Sequence, residues 1–310
     1  MSGTPLVLSD AVADALAHGR PVVALESTII SHGFPRPRNL EAARQFEAVL
    51  VDAGVVPATI ALVDGVPHVG LDDAQLRRIA EDPEVVKVSS RDLAVAQVQG
   101  VTGATTVAAT GVLAHLAGIR VFSTGGLGGV HRGASQSFDE SADLAMLSRI
   151  PITVVSAGVK SILDIHATLE RLETLGVTVV GYRTSRYPAF YLTDSGYDID
   201  WRVETPEEIA AVMAAQDDLA QDCAVLVANP LPVDQQLDPD LHDRVLRDAL
   251  VAADRQGVTG KDVTPFLLAY LQEHTHGASL EVNIAIAVNN IALGGRIATA
   301  WAARRRGAHD

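Results

Sequence analysis

The stretch from Ile150 to Leu163, which reads IPITVVSAGVKSIL, constrains the fold of this chain more than any other. Its dense β-branched run around Val154 is typical of a strand buried inside a sheet. Gly158 frees the backbone to turn, and a helical pattern is predicted to begin at Ser161. The residue between them, Lys160, therefore follows a buried strand at the carboxyl end of the sheet, where open α/β folds bind ligands.

Lys160 has two interpretations. A helix N-terminus favours anions, so a cation at this position is unusual. Lys160 is either a surface lysine whose stem packs while its ammonium group stays solvated, or a functional amine at the end of a strand. Its location alone does not decide between the two, and the remaining sequence is needed.

Apolar runs and helical patterns alternate along the whole chain. Strands are predicted over residues 21–30, 85–89, 119–123, 177–181 and 224–228, and helices over residues 104–116, 161–175 and 280–303. Asp64-Gly65 separates two alternating apolar runs, which predicts a hairpin over residues 59–70. Apolar runs outnumber period-2 strands, which predicts a three-layer α/β/α fold with a largely parallel, mixed central sheet covered on both faces. No linker or repeat is visible, so we expect a single catalytic domain over residues 1–310, with a basic tail after about residue 303.

Composition excludes several functional classes. A formal net charge of −14 argues against a nucleic-acid surface, which needs clustered basic residues. The single cysteine, Cys223, excludes an intramolecular disulfide and a CxxC metal site. Neither a basic, apolar leader nor an uninterrupted apolar span of membrane length is present. We therefore expect a cytoplasmic protein with no nucleic-acid or membrane partner.

Two further charged residues lie in predicted strands. Glu26 occurs in PVVALESTII, where a carboxylate is costly unless it is paired or protonated. It is either a charge held by a cap or a nearby base, or a general acid, and the rarity of buried acids in strands favours the acid. Lys87, in VVKVSSRD, is either an edge-strand lysine that prevents aggregation or a contact for a phosphate group.

A glycine-rich loop, TGGLGGVHRG, runs from Thr124 to Gly133 after a predicted strand. Its glycines let backbone N–H groups approach an anion, and His131-Arg132 adds positive charge. The glycine spacing fits neither the dinucleotide fingerprint nor the Walker A loop. The loop therefore indicates a phosphate group or another closely approaching substrate.

Asp139 and Asp143 are four residues apart in FDESADL, and a helix would place both on one face. With Ser141 between them, they are oxygen ligands of the kind that Mg²⁺ or Mn²⁺ prefers, although the spacing alone favours a solvated acidic turn. An amine, a buried carboxyl group, a metal-binding carboxylate and an anion loop together suggest Schiff-base catalysis on a carbonyl substrate.

Motifs along nearly the whole chain carry a family resemblance. They are ALESTIISHGFPRP (24–37), KVSSRDL (87–93), GATTVAAT (103–110), FSTGGLGGVHRGA (122–134), FDESADL (138–144), SAGVKSILD (156–164), VANPLP (227–232) and TPFLL (264–268). Together with the segment around Asn283, these motifs resemble those of the pseudouridine-5′-phosphate glycosidase family.

The resemblance implies reversible cleavage of pseudouridine 5′-phosphate to uracil and ribose 5-phosphate, with a Mn²⁺ ion and a homotrimeric α/β/α assembly. It implies that Lys160 is the covalent nucleophile, that Glu26 is the proton donor and that Asp139 holds the metal. It also implies a set of substrate contacts, with the last three as contacts for the base or phosphate: Lys87, Val107, Ser141, Ala142, Asp143, Asn283, Thr124 and His131.

The implied chemistry is consistent with these residues. The substrate joins ribose C1′ to uracil C5 by a carbon–carbon bond, so no leaving nitrogen is available for protonation. Capture of C1′ by an uncharged Lys160 would give an iminium-type adduct that accepts electrons when this bond breaks. A Schiff-base aldolase on a sugar phosphate and a catalytically silent sugar-phosphate binding protein stay open as alternatives. The presence of both Lys160 and Glu26 argues against the silent protein, because binding alone needs no buried amine–acid pair.

Overall fold

Short apolar segments, many of them rich in valine, pair into one mixed sheet in the structure of the protein. The structure is a computed structural model that describes residues 6–258 and 263–307. Within these residues the sheet has eleven strands. They are β1 Val7–Leu8, β2 Val22–Leu25, β3 Val56–Val63, β4 Val66–Val69, β5 Val86–Val88, β6 Gly103–Thr105, β7 Val121–Ser123, β8 Thr153–Ser156, β9 Thr178–Tyr182, β10 Trp201–Val203 and β11 Val225–Ala228.

The middle of the sheet is parallel. The main strand order is β1-β4-β3-β2-β7-β8-β11-β9-β10, and β6 joins β3 to β5. The predicted hairpin is confirmed, because β3 and β4 are antiparallel and Asp64-Gly65 turns between them with positive φ angles of 50° and 79°. The carboxyl ends of β2, β7, β8 and β11 lie side by side, and this edge forms the floor of the site described below.

Helices cover both faces of the sheet. They are α1 Asp10–Ala17, α2 Thr28–Ser31, α3 Arg38–Asp52, α4 Asp73–Glu81, α5 Leu93–Val98, α6 Val107–Leu116, α7 Ala134–Ser137, α8 Ala142–Leu147, α9 Ile165–Thr174, α10 Pro206–Asp218, α11 Pro239–Arg255, α12 Val263–His274 and α13 Ala278–Gly307. Adjacent residues of one strand enter opposite cores: Val154 packs in the core below α6, α8 and α9, and Val155 in the core below α3, α10 and α13. This two-sided burial explains why the strands read as continuous apolar runs, and it confirms the predicted α/β class.

The long helix α13 is the main support of one face. It contacts β2, β7 and β8 as well as α3 and α10. Arg304, Arg305 and Arg306 form its last turn, so the segment predicted as a basic tail is helical through Gly307. Cations at a helix C-terminus complement the partial negative charge of its free carbonyl groups.

Two predicted elements have wrong boundaries because side-chain caps start the helices later than the apolar pattern suggests. The predicted helix 104–116 begins as strand β6, and α6 starts only after Thr106, whose hydroxyl accepts from Ala109 N. The predicted helix 161–175 begins at Ile165, because the Asp164 carboxylate accepts from Ala167 N and caps α9 there.

The predicted strand 21–30 is also wrong in its second half. Strand β2 ends at Leu25, and the single turn of α2 follows. Ile29 and Ile30 prolong the apolar pattern, but they pack from this turn against α3 and α4. Glu26 therefore lies just beyond the carboxyl end of a strand rather than within it.

None of the helices in the described part of the chain is long and apolar enough to cross a bilayer.

The contact of α13 with β7 leads to a stability prediction. A Cβ atom at Gly294 would overlap Ser123 Oγ, so we expect Gly294→Ala to lower the free energy of unfolding by about 1–3 kcal/mol. Gly295→Ala is the matched control: its Cβ would lie 3.2 Å from Leu50 Cδ2, a side-chain end that can yield, and alanine favours the helix. Urea unfolding at equal protein concentration measures both, and equal midpoints for the two variants would contradict the predicted contact.

Candidate active site

The carboxyl ends of three neighbouring parallel strands bring the main candidate residues together. Glu26 follows β2 directly, Thr124 follows β7 directly, and Lys160 lies in the loop after β8. Leu25 is paired with Ser123 in the sheet, so Glu26 and Thr124 leave their strands at the same level. The strand register therefore positions the acid beside the glycine-rich loop.

Two adjoining cavities lie at this edge and share five lining residues, Glu26, Thr28, Lys87, Lys160 and Thr264. The first, which we name the apolar chamber for its side chains Ile29, Phe190, Pro265 and Leu268, is also lined by His32, Gly33, Gly126 and Asn283. The polar chamber has a volume of about 400 Å³ and is further lined by Ser89, Arg91, Thr106, Val107, Gly128, His131, Asp139, Glu140, Ser141, Ala142, Asp143 and Leu163. This volume is typical of small-molecule sites. All the predicted site residues except Thr124 line one of the two chambers.

Glu26 is buried, with 6% of its surface exposed, and both of its carboxylate oxygens are hydrogen bonded. Thr28 Oγ1 donates to Oε2 and Thr124 Oγ1 donates to Oε1. The two hydroxyl groups thus hold the carboxyl group in one orientation. Their hydrogen bonds offset the desolvation cost that the sequence predicts for a buried acid. Thr124 contributes to the site by fixing the acid.

Lys160 is half buried in a loop that is tied to the glycine-rich segment. Its backbone N–H donates to Leu127 O (3.0 Å), and Leu127 N donates to Gly158 O (3.0 Å). Gly158 has a φ of +80°, and Pro188 O leaves no room for a Cβ atom there. Because α9 begins only at Ile165, the prediction that Lys160 lies at a helix N-terminus is wrong.

Lys87 and Lys160 lie in the same pair of chambers, although lysine is rare in this chain. Only three of its 24 Lys and Arg residues are lysines, and the third, Lys261, lies outside the described residues. All other Lys and Arg residues in the described part of the chain are arginines. The placement of two scarce lysines at one site therefore indicates a need for amines rather than for positive charge alone.

The surroundings of Lys87 lower its pKa. Partial desolvation by the cavity walls is the main cause and repulsion from Lys160 is the second, while Glu26 and Asp143 act in the opposite direction. Lys87 still keeps solvent-accessible surface in the polar chamber. The cavity walls remove only part of the hydration of its amine, and this partial loss disfavours the charged form.

Asp143 joins the start of α6 to the glycine-rich loop. Its Oδ1 accepts from Ala108 N (2.9 Å) in the first turn of α6, and its Oδ2 accepts from Gly128 N (2.8 Å) in the glycine-rich loop. A Cβ atom at Gly128 would lie 2.8 Å from Asp143 Oδ2, so only glycine permits this approach. Since both oxygens already accept backbone N–H groups, Asp143 is poorly placed to be a metal ligand.

Asp139 is the carboxylate that stays available to a metal. The prediction of one helix face for Asp139 and Asp143 is wrong, because α8 begins at Ala142 and Asp139 precedes it. Glu140 pairs with Arg171 (2.9 Å), and His131 Nδ1 lies 3.8 Å from Asp139 Oδ2. Within residues 6–258 and 263–307 no group of three or more His, Cys, Asp or Glu side chains could hold a metal ion. Asp139 alone fits an ion that takes its other ligands from water and substrate.

Asn283 supplies a polar group to the apolar chamber. It is 7% exposed, and its Oδ1 has no hydrogen-bond partner among the described residues. Buried amide oxygens are usually satisfied, so an orphan that lines a cavity indicates a ligand contact.

The sequence did not reveal the residues that shape the apolar chamber. Phe190 is buried with its backbone in the left-handed region at a φ of 63°, and its N–H donates to Ala157 O (3.0 Å). Such strain in a phenylalanine is a feature of functional sites, but an apolar run such as YPAFYL gives no sign of it. Only a weak signal in the sequence pointed to Thr28 as a site residue: its hydroxyl group comes two residues after the buried acid.

Comparison with known proteins agrees with this geometry. The sequence profile of the family described as "Indigoidine synthase A like protein" matches residues 11–300. The pseudouridine-5′-phosphate glycosidase of Frankia alni is 63% identical over 305 residues, which cover 98% of this chain and 84% of that protein. The corresponding protein of Salinispora tropica is 63% identical over 295 residues, 95% of this chain and 91% of the relative. The resemblance indicated by the motifs is thereby confirmed.

Two solved structures share the fold. The prealnumycin C-glycosynthase AlnA, in complex with ribulose 5-phosphate, superposes with a TM-score of 0.90 at 36% identity, covering 97% of this chain and 98% of AlnA. An indigoidine synthase A-like protein from Thermotoga maritima has a TM-score of 0.86 at 34% identity, with 95% of each chain covered.

The electrostatics of the site predict how the pKa of Lys87 responds to its neighbours. Lys160→Met removes a repulsive cation and should raise this pKa, whereas Glu26→Gln removes an attractive carboxylate and should lower it. Reductive ¹³C-methylation gives resolvable dimethyl-lysine signals in a chain with three lysines, and their titration by NMR measures the values. Glu84→Gln, an exposed carboxylate of the same segment outside the chambers, is the control. A Lys87 pKa that neither cavity variant moves would contradict the predicted proximity.

Proposed function

This chain belongs to the family of indigoidine synthase A-like proteins, and from that membership we propose that it reversibly cleaves pseudouridine 5′-phosphate to uracil and ribose 5-phosphate. The relatives with 63% identity over nearly the whole chain are named pseudouridine-5′-phosphate glycosidase. The observation that carries the proposal is the pair of chambers that contains the Lys160 amine and the buried, doubly hydrogen-bonded Glu26.

The two chambers suit the two halves of this substrate. The polar chamber offers the side chains of Lys87 and His131, which favour the phosphate group of ribose 5-phosphate, and Val107 lies beside them at the start of α6. The apolar chamber offers a phenylalanine ring and the amide oxygen of Asn283, which has no hydrogen-bond partner in the described part of the chain; both favour a flat base with N–H donors. Complex formation of the related AlnA with ribulose 5-phosphate supports a sugar-phosphate site in this fold.

In the proposed reaction Glu26 first acts as an acid on the ribose ring. The lone pair of uracil N1 pushes through C6 and C5 to expel O4′ from C1′, and Glu26 protonates O4′. The Lys160 amine adds to C1′ and forms the carbon–nitrogen bond. These two steps open the sugar and restore the uracil double bond, and the substrate is now covalently bound.

Bond cleavage then follows from the lysine. Glu26, which takes up the proton that the Lys160 nitrogen releases after it has added to C1′, donates that proton to uracil C5. The nitrogen lone pair of Lys160 then forms an iminium ion at C1′ as the electrons of the C1′–C5 bond return to the uracil ring. Water hydrolyses the iminium ion and releases ribose 5-phosphate and the free amine. The substrate and one water thus give uracil and ribose 5-phosphate, without an oxidant or reductant.

We also propose that Asp139 would hold a Mn²⁺ ion, with water and substrate oxygens as its other ligands. A divalent cation bound there would supply positive charge that neutralises an anionic substrate. By resemblance to the family, we further propose that the protein is a homotrimer and acts in the cytoplasm.

The function is tested by incubating the purified protein with uracil, ribose 5-phosphate and Mn²⁺ and following pseudouridine 5′-phosphate by chromatography. Lys160→Ala should retain the fold and lose turnover, because the amine that captures C1′ is gone. Lys87→Met should turn over with a raised KM for ribose 5-phosphate. Consumption of ribose 5-phosphate without uracil would favour an aldolase, and product formation by Lys160→Ala would contradict the covalent mechanism.

The metal proposal predicts an effect of Asp139→Asn. After treatment with a chelator, titration with Mn²⁺ should restore the rate of the wild type. Because the variant lacks a carboxylate ligand, it should need a Mn²⁺ concentration at least about tenfold higher to recover its activity. Asp52→Asn, an exposed carboxylate at the end of α3, is the control and should match the wild type. Identical Mn²⁺ dependence of the Asp139 variant and the wild type would exclude this residue as the ligand.

A further inference from the structure

Asn290 is a fully buried asparagine in the middle of α13 that lines neither chamber. Its Nδ2 donates to Thr124 O (2.7 Å) and to Gly125 O (3.1 Å), and its Oδ1 accepts from Asn229 Nδ2 (2.9 Å). Both amide hydrogens and the amide oxygen are therefore used inside the protein. A fully satisfied buried polar group holds its partners in one arrangement.

One branch of this network leads to the acid. Asn290 Nδ2 fixes the carbonyl group of Thr124, the residue whose hydroxyl donates to Glu26 Oε1. Ser123 Oγ, at the end of β7, donates to the backbone oxygen of Asn290 (3.2 Å) and ties the helix to the same strand. Asn290 therefore holds the backbone of the residue whose hydroxyl group orients Glu26.

The other branch leads to the amine. Gly125 O, the second acceptor of Asn290, also accepts from Ala157 N (3.0 Å), at the start of the loop that carries Lys160. Asn229, which orients the Asn290 amide, donates its backbone N–H to Ser156 O (2.8 Å) at the end of β8. The Asn290 side chain thereby joins the ends of β7 and β11, and backbone hydrogen bonds tie each of these two ends to the end of β8.

An apolar residue would satisfy the packing at this position. The residues one turn away on either side, Ile286 and Gly294, are buried and non-polar. Asn289, the next residue, makes a single bond to Pro230 O (3.2 Å) and holds only the loop after β11. Burial of an amide brings a desolvation cost that apolar packing does not require, so the bonds of Asn290 to the site explain its presence.

We infer that Asn290 is a positioning residue that sets the geometry between the Glu26 carboxyl group and the Lys160 amine. The inference rests on the proposed function, since it assigns to Asn290 the alignment of the two groups that act in that reaction. Displacement of a reacting group by about 1 Å can cost about 100-fold in rate. Loss of the Asn290 amide therefore slows the chemistry without removing any group that binds the sugar phosphate.

The test compares three variants in the uracil and ribose 5-phosphate assay with Mn²⁺. Asn290→Leu keeps the number and branching of the side-chain heavy atoms but loses all three hydrogen bonds, and we expect kcat to fall about 10–100-fold with KM for ribose 5-phosphate within about threefold. Asn229→Leu removes only the donor that orients the Asn290 amide and should give a smaller fall in kcat. Asn289→Leu is the matched control on the same helix and should retain the wild-type kcat.

Thermal unfolding with and without ribose 5-phosphate accompanies the kinetics. A folded Asn290→Leu protein that ribose 5-phosphate still stabilises, but that turns over slowly, supports the inference. A wild-type kcat per folded enzyme would overturn it, even if the Tm is lowered, because that result describes a purely structural residue. If Asn290→Leu does not fold, an unchanged kcat in Asn229→Leu overturns it instead. If the wild-type enzyme is inactive, the proposed function is refuted. If the wild type is active and Asn290→Leu is equally active, only the inference about Asn290 is refuted.

Discussion

The site depends on the hydrogen bonds that hold the carboxyl group of Glu26. A carboxylate with 6% exposure is unfavourable unless its oxygens are satisfied, and the hydroxyl groups of Thr28 and Thr124 satisfy both. The contact exists because β2 and β7 are adjacent and parallel, with Leu25 opposite Ser123. The same sheet edge continues into β8 and the loop of Lys160, so the strand order itself brings an acid and an amine to one cavity.

The electrostatic character of the cavity follows from what surrounds these two groups. Partial desolvation and the positive charge of Lys160 lower the pKa of Lys87, while Glu26 and Asp143 act in the opposite direction, so the other three groups of the cavity all influence the pKa of Lys87. Asp143 is held by two backbone N–H groups and keeps the glycine-rich loop against the start of α6. Behind the loop, Asn290 secures the carbonyl groups from the opposite side. Rigid support of this kind is what a reaction with two aligned groups requires.

Sequence patterns predicted the layers of this fold because strands buried on two faces leave long apolar runs. They also singled out Lys160 and Glu26, since a charge beside such a run is rare, and the structure brings both residues to the same pair of chambers. They failed where a short-range cap or a single turn competed with the apolar pattern: Asp164 delays α9, and the turn of α2 follows Glu26. The role of Asn290 left no local signal, because its partner Thr124 lies 166 residues away in the chain.

Mass spectrometry of the protein after borohydride reduction in the presence of ribose 5-phosphate tests most directly whether Lys160 is the nucleophile. Peptide mapping is favourable in a chain with three lysines. The proposed mechanism predicts one reduced ribose 5-phosphate adduct per chain, on the peptide that contains Lys160, and none in Lys160→Ala. An adduct on Lys87 instead, or no adduct in an enzyme that makes pseudouridine 5′-phosphate, would contradict it.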